Sequence, residues 1–551
     1  MDELQDALKQ AVKDLFNEDV EPKLTRSEEQ FGDYTTNLAM QLGAKLGKQP
    51  REIAEAIAGK IRASEILAKT EVAGPGFINV FLSDKSLLDA MGKKPRQSNS
   101  GKSVVVEYSD PNPFKVLHVG HLYTSVVGDA IASLYEATGA EVARVNFGGD
   151  VGLHVAKTMW AIIQKLGGEA PSGLQSIDPG ERAGWLAERY VEGNSAYEAE
   201  GSKAAIHELN KRIYQIVEQN DRESGLAQIY WATRQWSYDY FDAFYDRIGS
   251  RFDRYYPESE TAEPGLKIVR QNIGKVFEES QGAVVFKGEV HNMHTRVFIN
   301  SEGLPTYETK DVGLIFKKWQ DYRFNRSVVI TGNDIYEYMQ VVLKAVEQIQ
   351  PELAQKTVHI THGMVKAGGG LKMSSRLGNI IRAEDVLDAA SQANKKANQQ
   401  DNPQVALGAV KYAFLKNRLG SDMVFNPAES VSLQGNSGPY LQYALVRAGS
   451  ILQKASNKQA VLDGKLEADE RSLARKIGEF SEVVEVAAQE HLPSHICTYL
   501  YELAQNFNRF YEKNRIIGDA REPLRLGLAN AYSEVLREGL RQLGIPAPEK
   551  M

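Results

Sequence analysis

The sequence predicts an α/β fold: a doubly wound parallel-sheet domain carrying an insertion, with a small α/β domain before it and an all-helical domain after it. Three observations point there. Strand-like apolar runs alternate with apolar-periodic helical segments between Val104 and Ala390, a linker-like stretch precedes them, and the pattern turns wholly helical from about Pro427. At 551 residues the chain also exceeds the roughly 250–300 at which a single core stops growing.

The first unit, residues 1–95, spaces Ile and Ala helically in REIAEAIAGKI (Arg51–Ile61) and follows turn residues with a β-rich run in AGPGFINVFLS (Ala73–Ser83). GKKPRQSNSGK (Gly92–Lys102) then reads as a linker, because Lys, Pro, Ser, Asn and Gly cannot build a core. The central unit, 103–425, opens with VVVEY (Val104–Tyr108), a loop with two prolines, a helix from about His118 to Thr138 stopped at Gly139, and a second strand, EVARVNF. SVVITG (Ser327–Gly332) before YEYMQVVLKAVEQI, and TVHITHGMV (Thr357–Val365) before AEDVLDAA, repeat the alternation. An insertion from about Met159 to Asn300 reads as helical to Tyr245 and then strand-like in GAVVF and TRVFIN. The third unit, 427–551, has GPYLQYALVRAGSILQKA and QNFNRFYEKNRII as its clearest helices.

Composition narrows the function classes. With 42% hydrophobic and 25% charged residues the chain is neither disordered nor fibrous. The single cysteine, Cys497, excludes an internal disulfide and a cysteine-built zinc site. No apolar run reaches the ~18 residues of a membrane span, and the start, MDELQDALKQAVKDLF, is acidic, so a soluble cytoplasmic protein is expected. The net charge of −7 gives no bulk attraction to nucleic acid; any such role needs a local basic face.

Two stretches carry chemistry. In HVGH, His118 and His121 sit at i and i+3 where a helix begins after a strand, beside N-terminal amides that favour anions. They can donate to a polyphosphate, with Gly120 leaving room for a base or ribose; a metal pair or surface histidines is the alternative. GGGLKMSSRLGN joins glycines to Lys372, Met373, Ser374, Ser375 and Arg376, the logic of a phosphate cradle, with a solvated turn as its alternative. The two motifs in this order are far more specific than either alone.

Together they resemble the two signatures, HIGH and KMSKS, of class I aminoacyl-tRNA synthetases. EYSDPNPFKVLHVGHLYTSVVGDAIASLYEATGAEV, FGDYTTNLAM, VAGPGFINVFLS, PTYETKD, GNSGPYLQYALVR, FNRFYEKNRIIG and LGIPAPEKM are similar, more narrowly, to arginyl-tRNA synthetases, and they span Phe31 to Met551. The resemblance implies a Rossmann-like catalytic domain, an N-terminal domain at the tRNA elbow and a helical anticodon-binding domain. The implied reaction activates L-arginine with ATP and passes it to the terminal adenosine of tRNA(Arg), without a covalent enzyme intermediate. ATP would arrive with Mg²⁺ as substrate, no cofactor being permanently bound and no metal held by the protein.

The same resemblance assigns residues. His118, Gly120, His121, Lys372, Met373, Ser374 and Ser375 would bind ATP; Glu258, Tyr307 and Asp311 would take the guanidinium. Glu107 and Asn112 match positions near the α-amino and carboxylate end, and Asn333 stands where the family often has glutamine. Planar acceptors suit the guanidinium fork, and a pocket that leaves buried carboxylates unpaired by a wrong amino acid needs no editing site. Phe31, Tyr34 and Asn37 are elbow candidates; Tyr440, Gln442, Tyr443 and Arg447 are anticodon candidates. One of Tyr440 and Tyr443 is expected in the core of the helix bundle. Arg509 to Arg541 holds seven Lys or Arg against five Asp or Glu, so charge alone does not mark that surface.

One departure stands out: the fourth place of KMSKS is Ser375 rather than lysine. Lys115, three residues before His118, is the expected replacement cation, with Arg376 as its rival. The family also implies that adenylate formation needs bound tRNA and that the chain is a monomer. Two other readings are a small nucleotidyltransferase, which would be shorter and lack the last domain, and a tRNA-binding relative with a decayed site, which would lack His118, His121, Tyr307 or Asp311.

Overall fold

The computed structural model describes residues 2–199, 201–368, 381–399, 401–455 and 459–551. The backbone divides into two compact units, one of Met1–Pro95, Ala444–Val483 and Thr498–Gly539, the other of Arg96–Tyr443, Val484–Cys497 and Leu540–Met551.

The larger unit is built on a five-stranded sheet of β1 (Ser103–Glu107), β2 (Glu141–Gly148), β3 (Arg254–Pro257), β4 (Arg326–Gly332) and β5 (Thr357–His362). Every pairing is parallel and the order is β5-β4-β1-β2-β3. Successive valines and isoleucines of β1 and β4 are buried whichever face they point to, as a sheet covered on both sides requires. The strand order reverses between β1 and β4, and a crevice opens beyond the carboxyl ends of strands at such a point. Helix α1 (Val119–Ala137) follows β1 and lies close on it: a β-carbon at Gly128 would fall 2.2 Å from the Tyr108 ring.

Helices α2 (Glu258–Gln271) and α3 (Tyr307–Tyr322) cross at a pair of glycines. A β-carbon on Gly265 would meet the Thr309 carbonyl oxygen at 2.1 Å, and one on Gly313 the Thr261 carbonyl oxygen at 2.1 Å. Backbones can approach that closely only without side chains. Helix α4 (Tyr336–Ile349) follows β4.

The single insertion expected over 159–300 needs correction. A helical segment, Leu153–Leu166 to Gly225–Ile248, packs around Phe114, Val155, Met159, Ile213 and Tyr230. The chain then returns to the main sheet as β3, adjacent to β2, before a three-stranded antiparallel sheet of Glu278–Ser280, Ala283–Phe286 and Arg296–Ile299. Strand β3 is four residues, RYYP, of which only Tyr256 is buried, so neither length nor apolar content announces it.

In the smaller unit, a four-stranded antiparallel sheet of Thr25–Arg26, Tyr34–Thr36, Phe77–Leu82 and Leu67–Ala73 packs with C-terminal helices as one body. Asp33 is a centre of that packing: its carboxylate accepts from Leu82 N at 2.7 Å and pairs with Arg471 at 2.8 Å and Arg475 at 3.2 Å. Arg471 reaches Asp84 as well, at 2.9 Å.

Candidate active site

The loop from β1 to α1 is held in an unusual conformation. Ser109, Asp110 and Phe114 have φ of 74°, 51° and 69°, the left-handed region, at a cost of about 1–2 kcal/mol per non-glycine residue. Each is tied down: the Ser109 and Tyr245 hydroxyls are 2.7 Å apart, Phe147 N donates to Asp110 at 2.8 Å, and Phe114 N donates to Ser237 Oγ at 2.9 Å. Gly149 N likewise donates to Asn112 Oδ1 at 2.8 Å. The surroundings thus fix where the loop delivers Asn112, Lys115 and His118.

His118 is the N-cap of α1. Its Nδ1 accepts from Gly120 N at 3.1 Å, while His118 N donates to His121 Nδ1 at 3.1 Å, and the two rings stack with centroids 3.7 Å apart. Burial, reinforced by the Lys115 charge, pushes His118 down to about 4 and His121 well below the usual imidazole range. Neutral rings that accept at Nδ1 carry their proton at Nε2, so the pair presents two Nε2–H donors. The amides expected to bind anions are already occupied, since Val119 N donates to the Ile381 carbonyl at 2.9 Å. Space at Gly120 is taken too: a β-carbon there would lie 2.8 Å from the folded-back His118 ring, which explains the glycine without a nucleotide.

Lys115 Nζ lies 4.7 Å over the Tyr190 ring of the insertion. Its charge helps to depress His118, His121 and His154, and favours the ionised form of Glu258, so it acts on both halves of the site.

Helices α2 and α3 supply the acidic part. Glu258 is buried at the first position of α2, where Asp150 caps the helix by accepting from Ser259 N at 2.9 Å and Ser259 Oγ at 2.7 Å. Arg234 pairs with Asp150 at 2.9 Å. Glu258 Oε2 meets Lys310 Nζ at 2.5 Å; burial pushes the carboxyl up, and the ammonium beside it pulls it back. Asp311 accepts from the Tyr338 hydroxyl, yet burial, with Glu107 and Glu258 nearby, pushes it up to about 8. Tyr307, on the same helix, is 51% exposed and places its hydroxyl 3.1 Å from His154 Nδ1.

Several expectations change. Glu107 is buried and ion-paired with the fully buried Lys318, an anchor between β1 and α3 rather than an open substrate contact. Asn333 is exposed after β4, its Nδ2 donating to the Gly420 carbonyl at 2.9 Å. Tyr34 is only 3% exposed, donates to Glu482 and lies under Arg26, so it is a core residue of its unit; Phe31, 51% exposed, and Asn37 face solvent. Gln442 is fully buried, donating to the Pro546 carbonyl at 2.7 Å, and so does not offer a surface contact. Tyr443 is 44% exposed, Tyr440 is half-buried, and Arg447 lies 4.6 Å from the Tyr511 ring centroid. Lys372, Met373, Ser374, Ser375 and Arg376 lie outside the described residues.

The sequence reading missed Asp150, His154, Lys310, Tyr338 and His362. His362, at the end of β5, is buried with its Nε2 2.7 Å from the Thr124 hydroxyl of α1. Among the described residues no cluster of three or more His, Cys, Asp or Glu is arranged to hold a metal ion, and no helix is long and apolar enough to cross a membrane.

Comparison with known proteins gives the same picture. The family model for the catalytic domain of class I (R) tRNA synthetases matches residues 84–426, the arginyl-tRNA synthetase N-terminal domain matches 2–82, and the DALR anticodon-binding domain matches 441–551. An arginine–tRNA ligase of Porphyromonas gingivalis is 28% identical with both chains fully covered, and one of Treponema denticola is 31% identical over 91% of this chain and 90% of its own. The solved Thermus thermophilus arginyl-tRNA synthetase superposes with a TM-score of 0.81 at 26% identity, covering both chains completely. A family model spanning more than half of the chain, flanked by both companion domains, shows that it belongs to the arginyl-tRNA synthetase family of class I aminoacyl-tRNA synthetases.

Proposed function

We propose that the crevice beyond β1 and β4 is where this enzyme joins arginine to ATP, with the stacked histidines at one end and the Glu258–Asp311 pocket at the other. The chain is an ATP-dependent arginine–tRNA ligase. A carboxylate oxygen of L-arginine attacks the α-phosphorus of ATP in line, pyrophosphate leaves with its bridging electron pair, and arginyl-adenylate forms. A hydroxyl of the terminal adenosine of tRNA(Arg) then attacks the arginyl carbonyl, losing its proton, and AMP departs. Both steps are carried by positioning and charge stabilisation.

The residue roles are our reading. Nε2–H of His118 and His121 donate to ATP phosphates, and Lys115 neutralises the departing pyrophosphate in place of the absent fourth-position lysine, with Arg376 as the alternative. Mg²⁺ enters with ATP. Glu258, Asp311 and the Tyr307 hydroxyl receive the guanidinium; Asn112, its Oδ1 already occupied by Gly149 N, keeps its Nδ2 donor for the substrate carboxylate. Phe31, Asn37, Tyr443 and Arg447 are tRNA contacts. Domain limits of 1–95, 103–425 and 427–551, a cytoplasmic location and a monomeric state complete the reading.

The observation that carries this reading is the coexistence of two neutral Nε2–H donors and two buried carboxylates on elements that flank one sheet. Exchange of labelled pyrophosphate into ATP, with and without tRNA, tests it: exchange that requires arginine supports the assignment, and arginine-independent exchange refutes it. Loss of the signal without tRNA would place tRNA binding before activation.

A further inference from the structure

Lys310 is a buried cation inside a pocket meant for a cation. Its Nζ is 2.5 Å from Glu258 Oε2, and the two side chains are only 3% and 4% exposed. The ammonium also meets the Tyr214 hydroxyl and lies 3.5 Å from the Val151 carbonyl and 5.0 Å from the Tyr307 ring centroid. The other carboxylate oxygen, Oε1, lies beside Gly149. A β-carbon at Gly149 would lie 3.1 Å from both Oε1 and the carboxyl carbon of Glu258 and 2.6 Å from Asn112 Oδ1, so Glu258 and Asn112 both pack against the bare glycine.

We propose that Lys310 is a positioning residue for amino-acid recognition: it fixes Oε2 and keeps Glu258 ionised, so that Oε1 alone is presented to the arginine guanidinium. This rests on the reading of Glu258 as part of the arginine pocket. A carboxylate buried without a partner becomes neutral, and a neutral carboxyl cannot make the charge-assisted bonds that hold a guanidinium. The surroundings leave Lys310 the main stabiliser of that charge. From α3, Tyr307 and Asp311 face Glu258; Asp150, ion-paired with Arg234, and His154, held neutral, come from the segment after β2. Tyr214 comes from the helix Lys203–Glu218, Tyr338 from α4, and Lys115 from the loop before α1. Lys310 and Asp311 thus divide the work: one spends an oxygen of Glu258 to preserve its charge, and the other supplies the second acceptor that the guanidinium fork then needs.

The test is the KM for arginine in aminoacylation at saturating ATP and tRNA, followed over about pH 6.5–8.5, for K310M, E258Q and the double variant. For K310M we expect KM to rise at least about tenfold near neutral pH, kcat to stay within about threefold, and KM to fall more steeply with pH than in the wild type, because Glu258 now titrates. The double variant should match E258Q within about twofold, since Lys310 acts through Glu258. A wild-type or lower KM in K310M, a raised KM with an unchanged pH slope, or a double variant clearly worse than E258Q would overturn the proposal. If K310M does not fold, the double variant against E258Q decides. A wild-type KM in E258Q would instead remove the pocket reading itself.

Discussion

With Asp311 in the proposed arginine pocket, its carboxyl is expected to change protonation state when arginine binds. Burial, with Glu107 and Glu258 nearby, raises its carboxyl to about 8, which favours the protonated form near neutral pH in the empty enzyme. A guanidinium at the pocket favours the ionised form, and binding therefore releases a proton. The sign follows: arginine affinity rises with pH up to the carboxyl's own value and levels off above it. One unit below that value costs about 1.4 kcal/mol, or about tenfold in affinity, and two units about a hundredfold. In aminoacylation at saturating ATP and tRNA, log KM for arginine should fall with a slope near −1 between about pH 6 and 8 and flatten beyond. D311N should abolish that slope while raising KM at pH 8.5, and Y338F, which deletes the hydrogen bond that lowers the carboxyl, should move the break upward. A flat wild-type profile, or a D311N profile with the slope intact, would refute the reasoning.

Other perturbations separate the remaining roles. K115A should slow arginine-dependent pyrophosphate exchange in the presence of tRNA by about 10²–10³-fold while leaving tRNA binding nearly intact; normal exchange would dismiss the replacement-cation idea. H118N keeps an N-cap acceptor for α1 but lacks the Nε2–H donor, so kcat should fall by about 10²-fold or more with an unchanged melting temperature. Because burial holds His118 down at about 4, its ionisation should leave no inflection in kcat between about pH 6 and 8. G313A places a methyl 2.1 Å from the Thr261 carbonyl oxygen and should destabilise by about 1–3 kcal/mol in thermal melts, with a raised arginine KM as α3 shifts from α2.

Much of the fold could be read from pattern. Strands β1, β2, β4 and β5 and helix α1 all lie where the pattern places them; β1 and β4 carry the continuous apolar runs that a covered parallel sheet writes into the chain, whereas the edge strand β5, TVHITH, alternates. Strand β3 escaped, being short, aromatic and closed by proline. At the site, HVGH was visible because its residues are local, two of them bonding within three positions. The role of their nitrogens was not, because whether an amide is free depends on Ile381, far away in sequence. Lys310 and Lys318 could not be singled out from other lysines in the sequence, because only tertiary packing buries them against Glu258 and Glu107. Asp150 and His154 follow a Gly-Gly turn with no motif of their own, and their meaning comes from α2 and Tyr307. Tyr34 and Gln442 failed in the other direction: side chains suited to nucleic acid turned out to be buried inside the protein, the Tyr34 hydroxyl and the Gln442 Nε2 each donating to a partner there.

The most direct measurement is aminoacylation of total tRNA by the purified chain, supplied in turn with each of the twenty amino acids and ATP. The account predicts that arginine alone is attached, and that E258Q and D311N lose that attachment through KM. Attachment of a different amino acid, or of none, would contradict it.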